Sequence, residues 1–174
     1  MNPEIKSIVI DANNRNGTYD LLAERVSFWR HDREKHHRMN PKSPKDKEKI
    51  LLEFARESQF ASGIIVDVNL CGYVAIHDID REKSSAEITI MIGNKNLWGA
   101  GIGPQAVEQT LTMFCGLRPE NKNMLIHAFV RKSNRASWIM FQRLGFEERF
   151  NLDSLPTGYH FHPNDRLFVR QAGV

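Results

Sequence analysis

The chain has 174 residues, of which 41% are hydrophobic and 26% charged, with a mean hydropathy of −0.46. That length suits one domain, residues 1–174, burying roughly two-thirds of the surface its unfolded chain exposes. No apolar run approaches the ~20 residues that a bilayer span needs, which excludes a membrane-spanning role. The formal charge of +3 is local: Arg30 to Lys49 holds eight Lys/Arg against four Asp/Glu, a net +4. This stretch reads as a landing site for a phosphorylated or acidic partner, or as a solvated helix end and loop. It contains no aromatic residue, which argues against nucleic-acid binding. The opening MNPEIKSIVIDANN carries an acid and a lysine beside a short apolar run, unlike a signal peptide, and a cytoplasmic protein is expected. Cys71 and Cys115 lie far apart without ligand spacing and read as small apolar residues.

In chain order, Ile5 to Asp11 predicts a strand, closed by NNRNG, and Tyr19 to about Met39 a helix with Leu22, Val26 and Trp29 on one face. Pro41 and Pro44 end it, and a second helix follows from about Asp46 to Glu57, with Ile50, Leu51 and Phe54 inward. Ile64 to Val68 and Gly72 to Asp78 form a hairpin, and SAEITIMIG is a further strand. Gln105 to Phe114 is helical, Met124 to Val130 a strand, and Asn134 to Leu144 a helix stopped by Gly145. Two more strands are expected near Phe146 to Leu152 and Arg166 to Gln171. The order β, α, α, β, β, β, α, β, α, β, β predicts one mixed α/β sheet with helices on both faces.

The strongest motif follows the strand Ile88 to Ile92: GNKNLWGAGIGPQ, where Gly99, Gly101 and Gly103 alternate just before Pro104 opens a helix. Glycines let successive backbone N–H groups converge, and the helix N-terminus adds partial positive charge, so the loop suits a pyrophosphate. It lacks the Lys-Ser/Thr of a P-loop and the spacing of the dinucleotide fingerprint.

AEITIMIGNKNLWGAGIG, followed about thirty residues later by SNRASWIMFQRLGF, resembles the GNAT superfamily of acetyl-coenzyme-A-dependent N-acyltransferases. Trp98, Gly99, Gly101, Ile102 and Gly103 match a Trp-Gly-Lys-Gly form of the family's pyrophosphate loop, with Ala100 in place of the lysine. Asn134, Ala136, Ser137, Gly145 and Phe146 match its Asn-x-Ala-Ser…Gly-Phe helix. FWRHDREKHHRM is similar, more loosely, to a first-helix stretch in the branch that acetylates ribosomal-protein N-termini and amino sugars. The resemblance implies a single-domain α/β fold, a mostly antiparallel mixed sheet with a splayed parallel pair. It also implies acetyl-CoA as cosubstrate, with pantetheine on the backbone of Ile90, Met91 and Ile92 and pyrophosphate on N–H groups of Gly99 to Gly103. Lys95 is a candidate to replace the side-chain help lost at Ala100.

Acetyl transfer to an amine needs a neutral nucleophile, and an alkylammonium of pKa ~10.4 is roughly one part in a thousand free base at neutral pH, a deficit of about 4 kcal/mol. The site must therefore accept a proton and tolerate or protonate a thiolate. Alternation puts Glu87, Thr89 and Met91 on one strand face and Ile88, Ile90 and Ile92 on the other, making Glu87 the first candidate base. Relatives place a second glutamate where Phe129 stands and a thiolate-protonating tyrosine where Phe141 stands, so a hydroxyl would come from Ser137 or Tyr159, or the thiolate leaves unaided. Asn134 either caps its helix or bonds the cofactor; Trp138 and Phe141 read as core or as cofactor contacts. His160 and His162 alternate without a third ligand, and no metal is expected. The acceptor is expected to be a small-molecule amine on an anionic scaffold, such as a nucleotide-linked amino sugar, handled by a monomer or homodimer. A protein N-terminal amine and a non-catalytic acyl-CoA-binding module remain as alternatives.

Overall fold

The computed structural model describes residues 5–10, 18–31, 45–54, 60–150 and 162–174. Among these, seven strands form one sheet: β1 (Ile5–Ile10), β2 (Phe60–Val66), β3 (Asn69–Asp80), β4 (Ser85–Ile92), β5 (Leu125–Arg131), β6 (Glu147–Arg149) and β7 (Asp165–Gln171). The helices are α1 (Thr18–His31), α2 (Lys47–Phe54), α3 (Ile102–Leu117) and α4 (Arg135–Arg143). Sheet order is β1-β2-β3-β4-β5-β7-β6, so the last strand is inserted beside β5 and pushes β6 to the edge. All neighbours are antiparallel except β4 and β5.

The predicted elements are present with shifted ends. The helix expected from Tyr19 to about Met39 is described as far as His31, and the one expected from Asp46 to Glu57 as far as Phe54, the rest lying outside the described residues. The helix expected from Gln105 begins three residues earlier, at Ile102, because Pro104 is tolerated in a first turn whose N–H groups have no helical acceptor. Of the strand expected over Phe146 to Leu152, Glu147–Arg149 pair with β7 and Phe146 is drawn into the core, while residues 151–152 lie outside the described residues.

Alternation along the strands sorts apolar side chains into two layers. Val74, Ile76, Ile88, Ile126, Ala128 and Phe168 pack under Ile102, Val107, Leu111 and Phe114 of α3 and Phe141 of α4. On the other face Ala61, Tyr73, Ala75 and Met91 meet Leu22, Ala23, Val26 and Trp29 of α1 and Ile50 of α2. Trp29 lies so close to the end of β4 that a Cβ on Gly93 would fall 2.0 Å from its ring, which is why that position carries no side chain.

The sheet departs from regular geometry at both ends of β3. The β2–β3 turn places Asp67 and Val68 at φ 46° and 64°, the two left-handed residues of a tight hairpin that matches sheet twist. Further along β3 the register with β4 shifts between His77 and Asp80, with Asp78 at φ 50°. Such a bulge costs backbone strain and turns consecutive side chains toward a common side.

Candidate active site

The parallel pair β4–β5 is registered only over Ser85↔Leu125, Ala86↔Ile126 and Glu87↔His127, and beyond these the strands separate. This is the splay that the resemblance implied. Backbone direction along β4 alternates: Gly93 N–H donates to Cys71 O at 2.7 Å, and a Cβ on Gly72 would lie 2.3 Å from Met91 O, so odd-numbered residues face β3. Ile88, Ile90 and Ile92 therefore turn their peptide groups into the seam. Of the three backbone positions expected to face it, Ile90 and Ile92 do and Met91 does not, because its carbonyl belongs to the β3 ladder and its side chain to the α1 layer. Trp98 closes the end of the seam, its indole N–H donating to Ile92 O at 3.0 Å.

The glycine loop hangs directly after this end. Lys95 lies in a single 3-10 turn, Lys95–Leu97, capped by Asn94. Gly99 and Gly101 adopt φ 79° and 77°, the left-handed region that favours glycine, and among the described residues nothing stands within 4 Å of a would-be Cβ on Gly99. Gly101 is the N-cap of α3 and supplies no side-chain cap, leaving the first N–H groups of a four-turn helix open. Ala100 differs from the expectation: its N–H turns inward to Leu97 O at 3.4 Å. Gly103 is buried, and a Cβ there would meet Met140 Sδ at 2.9 Å, so its smallness serves the approach of α3 to α4. Ile102 is likewise in the core, with its N–H in the open first turn. An anionic group at the seam's end would thus meet left-handed glycines and an uncapped helix N-terminus, a donor set that fits a pyrophosphate.

On the opposite face of β4 lies Glu87, its side chain 17% exposed. Register brings His77 of β3 beside it on one side and His127 of β5 on the other. Burial raises the Glu87 carboxyl to about 7; the neighbouring Asp78 and Asp165 add to this, and His77 opposes it. A carboxyl poised there accepts a proton at neutral pH and still releases it. His77 Nε2 lies 3.9 Å from Glu87 Oε1 and 3.0 Å from Thr89 Oγ1, while its Nδ1 donates to Asp78 Oδ2 at 2.9 Å. His127 is fully buried, its Nδ1 donates to Ala86 O at 3.3 Å, and burial lowers its pKa, keeping it neutral. Its Nε2 has no hydrogen-bond partner among the described residues. Asp165 sits 3.4 Å from Arg131, whose guanidinium also donates to His162 Nδ1 at 2.9 Å. The imidazole and carboxylate atoms of His77, Asp78 and Glu87 gather within 4.8 Å of one another, a cluster from two strands that the spacing of His160 and His162 did not point to.

The other expected site residues separate. Asn134 caps α4, its side chain accepting from Ser137 N–H at 3.4 Å. Phe141 is a correction: it is 3% exposed and packs against Phe146 and Phe168 with ring centroids at 5.0 and 6.5 Å, so core packing rather than a cofactor contact uses its ring. Trp138 packs on the same layer beneath the Arg166 guanidinium, 4.3 Å from its ring. Ser137 belongs to α4, the helix that packs on the sheet face opposite Glu87. Tyr159 and His160 lie outside the described residues. Sequence reasoning missed His77, Asp78 and His127. The pair His77-Asp78 was visible near the end of a predicted strand, but its place beside Glu87 depends on the bulge.

With this geometry in place, comparison with known proteins is informative. The family model for the acetyltransferase (GNAT) domain matches residues 18–147. A domain from Methanocaldococcus jannaschii DSM 2661 is similar at a TM-score of 0.70 and 20% identity, over 97% of this chain and 98% of that one. RimL, a ribosomal L7/L12 alpha-N-protein acetyltransferase solved with coenzyme A, is similar at 0.66 and 14% identity over 97% and 94%. The dodecameric spermidine N-acetyltransferase of Vibrio cholerae is similar at 0.64 and 13% identity over 95% and 91%. At these identities the structural likeness is one of fold, whereas the family match runs through α1, the seam, the glycine loop and α4. The chain belongs to the GNAT family and is an acyltransferase.

Proposed function

We propose that this protein moves an acetyl group from acetyl-CoA to a primary amine of a small molecule by direct attack in a ternary complex, with Glu87 as the base. The observation that carries this reading is the position of Glu87. It stands at the last registered pair of β4 and β5, where the seam opens, with its carboxyl raised to about 7. Bound acetyl-CoA would supply the acetyl group as a thioester. Ile90 and Ile92 offer backbone partners along the seam, and the N–H groups from Gly99 to Gly103, save that of Ala100, receive the pyrophosphate with the α3 N-terminus behind them. Glu87 takes the ammonium proton, and Asp78 and Asp165 favour a cationic group in the same place. A hydroxyl for the departing sulfur comes from Ser137 or from Tyr159, or the thiolate leaves unaided.

A nucleotide-linked amino sugar is the proposed acceptor, on the basic character of residues 30–49. Within that stretch Arg30 is turned inward, 3% exposed and donating to Tyr73 Oη at 3.0 Å, so the cationic surface would rest on the other residues. Relatives of the same fold are described as acting on a protein N-terminal amine and on spermidine. The test is thiol release from acetyl-CoA with three acceptors: a nucleotide-linked amino sugar, a peptide amine and spermidine. Fastest turnover of the first supports the proposal, and preference for spermidine contradicts the anionic-scaffold reading. Acetyl-CoA binding with no turnover of any amine favours a non-catalytic module, a reading that Phe141, buried where a donor would stand, keeps open.

A further inference from the structure

Acetylating an ammonium removes two protons from one nitrogen. In R–NH3⁺ + CH3CO–SR′ → R–NH–COCH3 + HSR′ + H⁺, a C–N bond forms, the C–S bond breaks, one proton ends on sulfur and one enters solvent. Glu87 holds a single proton at a time, so a site that relies on it must discharge it within each turnover.

We propose that His77, oriented by Asp78, is the exit for that proton: it takes the proton from Glu87 and passes it to solvent. This rests on Glu87 being the base. Three features of the β3 bulge support the assignment. A carboxylate only accepts, so the 2.9 Å contact with Asp78 places a hydrogen on Nδ1 and makes Nε2 the accepting nitrogen of the neutral ring. Thr89 Oγ–H donates to that Nε2 at 3.0 Å, on the side of the ring where Glu87 Oε1 lies 3.9 Å away. That separation is one side-chain adjustment from a hydrogen bond, as in many sites before substrate binds. Once protonated, the ring is a cation between the carboxylates of Asp78 and Glu87, and Asp78, 57% exposed, opens the route to water. Among the described residues, the other titratable or charged groups facing Glu87 are His127 from β5, neutral and fully buried, and Asp165 from β7, paired with Arg131. From α1, Arg30 is engaged with Tyr73 on the same face. None of these offers the arrangement His77 has, an accepting nitrogen near Glu87 backed by a solvent-facing acid.

His77 acts through Glu87, so its test needs readouts beyond a lower rate. With full-length protein, saturating acetyl-CoA and the amine of the three that turns over fastest, His77→Gln should lower kcat about tenfold with KM within threefold. Added imidazole should restore most of the loss. The acidic limb of the kcat–pH profile should move to higher pH in His77→Gln and to lower pH in Asp78→Asn, because these remove a cationic and an anionic neighbour of Glu87 respectively. Unchanged kcat in His77→Gln, or a loss that imidazole does not reverse, overturns the relay. Independently of folding of the variant or choice of amine, ¹⁵N NMR of the parent protein's histidine rings should show the Nδ1–H tautomer for neutral His77; the Nε2–H tautomer overturns the proposal. An inactive Glu87→Gln beside a fully active His77→Gln removes the relay alone, whereas a fully active Glu87→Gln, or no thiol release with any of the three amines, removes the base assignment and the relay together.

Discussion

At the glycine loop the groups that face a ligand are backbone N–H donors, and the residues that matter are those lacking side chains. At the Glu87 face the groups are side chains from β3, β4, β5 and β7, none adjacent in sequence except His77 and Asp78. The first region is local: a strand end, a turn at left-handed φ and a helix start within fifteen residues, Gly93 to Val107. The second exists only where three strand registers coincide. Local backbone sites tolerate side-chain change except at the glycines, whereas register-built sites depend on single functional groups whose properties the surroundings set.

The sharpest way to break this comparison is Glu87→Gln, which keeps shape and removes the base. It should lower kcat by about 10²- to 10⁴-fold, with acetyl-CoA affinity unchanged by calorimetry; a fall in affinity instead would mean that the two regions are not separable. Next in size is Gly101→Asp. Aspartate accepts the left-handed backbone better than most residues, yet sets a carboxylate at the open helix N-terminus, so acetyl-CoA binding should weaken by about 100-fold while the melting temperature stays close to the parent's. Gly103→Asp should lose binding and stability together, because its Cβ meets Met140 Sδ at 2.9 Å.

A third effect exposes the cost of tuning Glu87. Its folded-state pKa of about 7 lies above the ordinary 4.5, so the folded chain holds this proton more tightly than the unfolded one. The associated stability is full below about 4.5 and is lost as pH rises through 7. Glu87→Gln should therefore melt several degrees above the parent at pH 8, by as much as about 3 kcal/mol, and the two should converge near pH 4. Equal melting temperatures at both pH values would show that Glu87 is not held in this way. The smallest expected effect is Lys95→Ala, a loss of acetyl-CoA affinity of about threefold; none at all would leave the loop's binding entirely to its backbone.

The element order was legible because periodicity is local: Leu22, Val26 and Trp29 recur at helical spacing and are all buried, and Ile88, Ile90 and Ile92 alternate and share the α3 layer. Glu87 was legible as a candidate for the same reason. The roles within the glycine motif were only half legible. Gly101 and Gly103 look alike in a string, but one is fixed by its φ and the other by the nearness of α4. Phe141 shows the same limit, since a motif position cannot say whether a ring faces a ligand or the core.

By itself the sequence determined the strand and helix order, the inward face of periodic segments such as α1 and β4, and a loop able to hold an anion, because these depend on chirality, alternation and glycine's freedom over a few residues. Tertiary structure decided the company that Glu87 keeps. Counted from Asp80↔Ser85, an unbroken ladder would set Asp78 opposite Glu87; the bulge at φ 50° sets His77 there instead. The register of β5, reached through a helical crossover, placed a neutral histidine on the other side. Each is a choice of one residue in pairing, and pairing is settled by the packing of whole layers rather than by any short stretch of chain.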